Sequence, residues 1–216
     1  MAHDICTKRE QLRIMCEQVM FIVRAYNDII RDMNAEEKRL FVDHMRKLDR
    51  RIGQGLTKLT WQSKNLIEMY VKDCCGNCQE VHSVLKEFKE CRLVVAKACK
   101  TISSALMTKI DKNAIYEESV FESRQKDHRL AICASYEECN EKVVSSLRAI
   151  FKNFKEGSPE VQREWKTQIS QIDKSIETSL KFAVKRSLQD LSKAINGDSK
   201  VTHSCNFLLI YVFSMF

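Results

Sequence analysis

Cys75-Gly76-Asn77-Cys78, with His82 four residues further on, comes nearest in this chain to a metal-binding pattern. Zinc takes thiolate and imidazole ligands converging tetrahedrally, and a CxxC pair normally needs a second pair brought close by a turn. Only one half of that arrangement is present here, and Cys74 and Cys78 fall on an apolar helical stripe where cysteine serves as a small hydrophobe. Gly53-Gln54-Gly55 followed by Lys58 suggests a phosphate loop, but the second glycine directly before Lys-Ser/Thr and the preceding apolar strand are missing. His44 and His82 sit on helix faces with no nucleophile and orienting acid specified near them. The residues that could do chemistry therefore point to none: no catalytic, cofactor or metal site is expected.

The composition says what kind of element carries these residues. One proline and five glycines in 216 residues argue against a turn-rich β protein, and 30% charged with 44% hydrophobic residues suits long amphipathic helices. The ten cysteines follow no apolar signal-peptide core, so a reducing compartment and free thiols are expected. A net charge of +7 comes from 36 Lys and Arg interleaved with 29 Asp and Glu. That pattern describes solvated helix faces, not a nucleic-acid site.

Helical periodicity then sets out the elements. Thr7 with Glu10 has the form of a capping box, and Leu12, Met15, Val19, Ile22, Tyr26, Ile29 and Ile30 carry a helix to about Met33. Asn34 with Glu37 repeats the device before Leu40, Phe41, His44, Met45, Leu48 and Ile52, and this second helix stops near Gly53 and Gly55 to form a hairpin with the first. A third helix is expected from about Ser63 to Ile110, with Cys74, Cys78, Val81, Leu85, Phe88, Val95, Cys99, Ile102 and Leu106 on one stripe and Arg92 out of character. Its length, roughly 70 Å at ~1.5 Å per residue, implies rod-like packing. Asp111-Lys112-Asn113 breaks the pattern. Tyr116, Val120 and Phe121 open a further helix whose polar middle, Glu122 to His128, leaves the register unset until Val143, Val144, Leu147, Ile150, Phe151 and Phe154. In the last helix Ser158 caps, Pro159 occupies the first position, and Val161, Trp165, Ile169, Ile172, Ile176, Leu180, Val184, Leu188, Leu191 and Ile195 recur at three or four until Asn196-Gly197. Glu177 and Lys181 are spaced to pair on its outer face. Trp165 is expected in the core, whereas Trp61 sits in a connector. The fold class is all-α, an elongated bundle of long antiparallel helices.

Several ordered segments resemble the N-terminal tail of axonemal dynein heavy chains: Tyr26-Asn27-Asp28-Ile29-Ile30, Lys38-Arg39-Leu40-Phe41, Leu48-Asp49-Arg50-Arg51-Ile52, Gly55-Leu56-Thr57-Lys58-Leu59-Thr60-Trp61, Val161-Gln162-Arg163-Glu164-Trp165, and Leu191-Ser192-Lys193-Ala194-Ile195-Asn196-Gly197-Asp198. The resemblance runs from about Val23 to Lys200. It implies part of a helical stem that joins heavy, intermediate and light chains in the axoneme of a cilium or flagellum, in the cytoplasm and on the cytoskeleton. It also implies indirect contact with microtubules, no nucleic acid, no membrane span, no cofactor and no motor activity in this segment. The family-motif positions are Gly55 to Trp61, Trp165 and Ala194 to Asp198. The competing expectation, from another class, is an independent helical adaptor that binds acidic partners through basic faces.

Residues 1–200 are thus expected to be tail-like and 201–216 a divergent apolar ending. Phe207-Leu208-Leu209-Ile210-Tyr211-Val212-Phe213 is a continuous apolar run, too short for a span of about 20 residues. A truncated product, an alternative terminal exon or a gene-model artefact would each produce such an ending. Its β-branched and aromatic composition without charge is that of an aggregation-prone segment, expected to stand off the helical core and make the chain associate.

Overall fold

The computed structural model describes residues 2–56, 64–110 and 114–196. These form six α-helices and, among the described residues, no strand: α1 (Ala2–Asp32), α2 (Ala35–Leu40), α3 (Val42–Leu56), α4 (Lys64–Ser104), α5 (Glu118–Phe151) and α6 (Pro159–Asn196). The chain is an all-α bundle, in keeping with a helical stem. Two compact units divide it, one of Met1–Leu93 and Ser146–Ser170, the other of Val94–Ser145 and Gln171–Phe216.

In the first unit α1 and α3 form the expected hairpin. Tyr26 donates its hydroxyl to Asp49 at 2.6 Å, and Ile52 packs against the cluster that contains the buried Ile22. The capping box at the turn is complete: the Glu37 amide donates to Asn34 Oδ1 and the Asn34 amide to Glu37 Oε2, both at 2.9 Å. The box expected at Thr7 is not a cap, because α1 already begins at Ala2 and Thr7 lies inside it. One helix was expected after Asn34, and two are found, parted at Phe41. Helical hydrogen bonds still run through the step, from Phe41 N to Glu37 O at 2.8 Å and from Met45 N to Phe41 O at 3.0 Å. The step delivers Phe41, which is fully buried, into an aromatic cluster with Phe88 and Phe154 in edge-to-face contacts at 6.0 and 5.2 Å. Trp165 of α6 closes the cluster.

The stripe of α4 is deeper than the sequence suggests at its one anomalous point. Cys91 is buried there while Arg92 turns outward to Glu36 at 3.4 Å, so the stripe takes a step of three from Phe88 and the arginine never faces the core. Ala98, not Cys99, takes the next buried position after Val95. The helix stops at Ser104, six residues short of the expected end.

His44 also joins the aromatic cluster, 5.4 Å from Phe41 and 5.5 Å from Phe154 between ring centres. Its Nδ1 is buried without a hydrogen-bond partner. Burial, then the Lys47 charge, hold its pKa below the ordinary histidine value, against smaller opposing pulls from Asp43 and Glu80. As pH falls through ~6.5 the unfolded chain takes up this proton before the folded one, so stability declines. A loss of at most about 1.4 kcal/mol is expected from this group between pH 7.5 and 5.5, and His44→Phe should remove it; denaturant midpoints at the two pH values measure both. A variant with the same pH slope as the parent would place the proton uptake elsewhere.

In the second unit, side chains from two helices hold the non-helical segment that follows α4. Gln125 donates from Nε2 to the Lys109 carbonyl at 2.7 Å, His128 Nε2 lies 2.7 Å from the Leu106 carbonyl, and Tyr136 donates to the Ile102 carbonyl at 3.3 Å. From α6, the buried Ser187 hydroxyl accepts from the Met107 amide at 2.8 Å and donates to the Ala183 carbonyl. The Ile102 carbonyl in the last turn of α4, and those of Leu106 and Lys109 beyond it, thus find partners. Gln125 and His128, within the polar middle of α5 that hides its register in the sequence, serve this purpose.

The start of α6 is as expected. Pro159 is its first residue, Ser158 Oγ accepts from the Val161 amide at 3.5 Å, and the Ser158 amide itself donates to Asp43 Oδ2 at 2.6 Å. Glu177 and Lys181 pair at 2.5 Å. Val161 and Trp165 are buried, but from Ile172 to Leu191 the apolar stripe is only half-buried and the deepest positions go to Ala183 and Ser187. Ala183 and Ser187 are buried there while the larger side chains of the stripe stay on its partly open flank.

Candidate interaction site

The cysteine pattern does not assemble. Cys74 and Cys78 are buried on the α4 stripe, His82 is exposed, and no group of three metal ligands occurs among the described residues. Burial pushes the thiols of Cys74 and Cys75 up, and that of Cys78 to about 11, which disfavours the thiolate a metal requires. Maleimide labelling at neutral pH should therefore modify the exposed Cys6, Cys16 and Cys133 at least ~100-fold faster than Cys78, as read by mass spectrometry of timed digests. Equal rates would mean that α4 does not bury its stripe.

The family-motif positions with described surroundings are Gly55, Trp165 and Ala194. Gly55 lies in the last turn of α3 beneath the ring of Tyr70, Trp165 lies in the aromatic cluster, and Ala194 is half-buried near the end of α6 in the other unit. Leu56 ends α3, and Ile195 and Asn196 end α6. Thr57, Lys58, Leu59, Thr60, Trp61, Gly197 and Asp198 lie outside the described residues, as do the break at Asp111-Lys112-Asn113 and the whole of 201–216. Gly55 and Trp165 serve packing within the first unit.

Two surfaces remain that could engage something else. The first is the leading half of α1. Ile5, Leu12, Val19, Tyr26 and Met33 recur every seven residues, with Met15, Ile22 and Ile29 at the intervening positions of a coiled-coil seam and Lys8 as the one polar intruder. Downstream the seam is used: Ile22, Ile29 and Met33 are buried against α3 and α4. Upstream it is open, with Leu12 36% and Ile5 64% exposed. Ion pairs of Lys8 with Asp4 and of Arg13 with Glu10 and Glu17 support this half along its own surface. The heptad repeat is legible in the sequence, but where its partner runs out is a tertiary fact.

The second surface is an apolar groove of about 370 Å³ in the second unit, between α5 and α6 and under the segment that follows α4. Ile132 and Cys133 form one wall, Leu180, Val184, Leu188 and Leu191 the other, with Met107 above. It exists because α6 spends its deepest positions on Ala183 and Ser187. No helix among the described residues is long and apolar enough to cross a membrane, so neither surface belongs to a span.

Residues 1–70 match the family described as dynein heavy chain, N-terminal region 1. The chain is 32% identical over 200 residues to the Dynein-1-beta heavy chain, flagellar inner arm I1 complex, of Chlamydomonas reinhardtii, covering 92% of this chain and 4% of that protein. It is 31% identical over 209 residues to Dynein axonemal heavy chain 2 of Homo sapiens and likewise to that of Mus musculus, covering 97% of this chain and 5% of theirs. The chain thus spans about a twentieth of the length of these relatives. The resemblance noted in the sequence from Val23 onward extends to the first residues through the family match. Together these matches place the chain in the dynein heavy-chain family, in the N-terminal region that forms the tail.

Proposed function

We propose that this chain is a non-catalytic structural segment of an axonemal dynein heavy-chain tail, acting in heavy-chain association and in binding intermediate and light chains within a cilium or flagellum. The observation that carries this reading is the open seam on α1, a helix that the core uses for only half its length in a region matched to dynein tails. An apolar heptad left uncovered is completed by another helix. The relatives' names refer to axonemal and flagellar dyneins, which supports the same location for this chain and an indirect, motor-borne relation to microtubules. ATP turnover belongs in this reading to sequence outside the segment.

Co-expression of the chain with the N-terminal region of a second axonemal heavy chain tests the proposal. A complex that survives high salt, and that Leu12→Glu abolishes while helicity by circular dichroism is kept, is the expected result. Binding that salt removes and Leu12→Glu leaves intact would favour the basic-face adaptor instead, since screening acts on exposed charges and not on buried apolar area.

A further inference from the structure

We propose that the apolar groove of the second unit receives an amphipathic helix of another chain, one that presents a row of large apolar side chains with carboxylates flanking that row.

Shape, chemistry and charge each select this occupant. Leu180 and Leu191 bound one wall and lie about 16.5 Å apart along α6 at ~1.5 Å per residue, the length of three helical turns. A docked helix of that length, about 10 Å across, fills roughly 1,300 Å³. The groove encloses about 370 Å³, so it takes one row of side chains at three- and four-residue spacing and leaves the rest of the helix over its rims. The hydroxyls that line it are already engaged: Ser187 with the Met107 amide and the Ala183 carbonyl, Tyr136 with the Ile102 carbonyl. The rims carry the charge. Arg129 borders the groove on α5, and the strip that continues it across Leu180, Val184 and Leu188 is bordered by Lys181, Lys185 and Lys193 and by one acid, Glu177. Glu177 is itself paired with Lys181. The surplus around the apolar trough is positive, so carboxylates beside the anchor row gain where lysines would be repelled.

The same charge argues against the other occupants. A second copy of this chain brings a further net charge of +7 to a positive rim. An anionic bilayer would meet the lysines, but an interfacial surface lies along an exposed apolar face and does not fill a trough between two helices. The site lies in the other unit from the open half of α1 and does not rest on that seam.

Peptides of about eighteen residues, five turns of helix, test the assignment. A displayed library carries large apolar residues at three- and four-residue spacing and varies the flanking positions among Glu, Gln and Lys. It is selected on the full chain and, in parallel, on Val184→Glu, which puts a carboxylate in the groove wall. Peptides retained by the parent chain and lost on Val184→Glu are expected, with Glu exceeding Lys at the flanks by at least ~10-fold. The best of them, titrated by fluorescence anisotropy, should bind the Lys185→Glu, Lys193→Glu double variant about tenfold more weakly, and exchanging its flanking Glu for Lys should restore the affinity. Both lysines are exposed, so this reversal stands even where circular dichroism shows that Val184→Glu disturbs the fold. Four results would overturn the proposal. No sequence may be enriched on the parent chain, or the enriched flanks may show no preference for Glu. A dimer of the chain that Val184→Glu abolishes would assign the groove to a second copy. Binding to phosphatidylcholine vesicles that contain phosphatidylserine, lost in the double variant and with no peptide selected, would assign it to a membrane surface.

Discussion

Trp165→Ala is expected to lower the stability of the first unit by about 3–5 kcal/mol. Trp165 is 8% exposed and stacks on Phe154 at 5.5 Å and 26°, with the tilted ring of Phe151 also at 5.5 Å. Phe154 in turn touches Phe41, His44 and Phe88. Removing the indole therefore opens a void walled by rings that are themselves held edge-on by others, and the cluster cannot collapse into it without giving up those contacts. Arg39 to Glu164 at 3.1 Å and Arg46 to Glu160 at 3.3 Å also tie α6 to the hairpin, but such solvent-screened surface pairs contribute little and cannot compensate. Leu93→Ala is the control, because Leu93 is 69% exposed and its truncation should stay within about 0.5 kcal/mol. Chemical denaturation followed by circular dichroism separates the two; a Trp165→Ala midpoint no lower than that of Leu93→Ala would remove the aromatic cluster as the unit's main support.

What made this cluster legible is that its members announce themselves locally. Ser158-Pro159 fixes where α6 begins, so Val161 and Trp165 follow on its inner face by periodicity, and Asn34 with Glu37 fixes the turn that brings Phe41 and Leu48 in from the other side. The misses have non-local causes. Arg92 looks like a defect in the α4 stripe only if the steps are forced to alternate; packing chose Cys91, and Glu36 on another helix takes the arginine. The polar run of α5 carries no register because Gln125 and His128 answer to carbonyls beyond Ser104, which no pattern within α5 can reveal. On α6 the apolar period continues unbroken past Ile169, yet the buried positions are Ala183 and Ser187, the latter bonded to the Met107 amide outside the helix. Hydrophobic periodicity identifies a face and leaves undecided which neighbour, if any, covers it. The open half of α1 and the groove beside α6 are both regions where a sequence stripe outruns its partner.

The glycine that opens the connector motif shows how a motif position can be structural without belonging to a site. A Cβ built on Gly55 would fall within the ring of Tyr70, overlapping its Cε2 and Cδ2 atoms. That ring is buried, packs with Ile22 and Cys74, and is pinned by its hydroxyl, which donates to the Ile52 carbonyl at 3.0 Å. It cannot swing aside without losing the bond and opening the second cluster. Gly55→Ala should therefore cost about 1–3 kcal/mol, the range for overpacking a well-ordered contact, even though alanine is the better helix former by up to ~1 kcal/mol. Gly53, two residues earlier in the same helix, has nothing within 4 Å of its added Cβ, so Gly53→Ala should stabilise by roughly 0.5–1 kcal/mol from propensity alone. Opposite signs two residues apart cannot come from helix propensity, which treats the two glycines alike. Pairing Gly55→Ala with Tyr70→Ala completes the cycle: if the clash is the cause, the alanine at 55 costs nothing once the ring is gone, and a penalty that persists in the double variant would show that Gly55 is needed for its backbone instead.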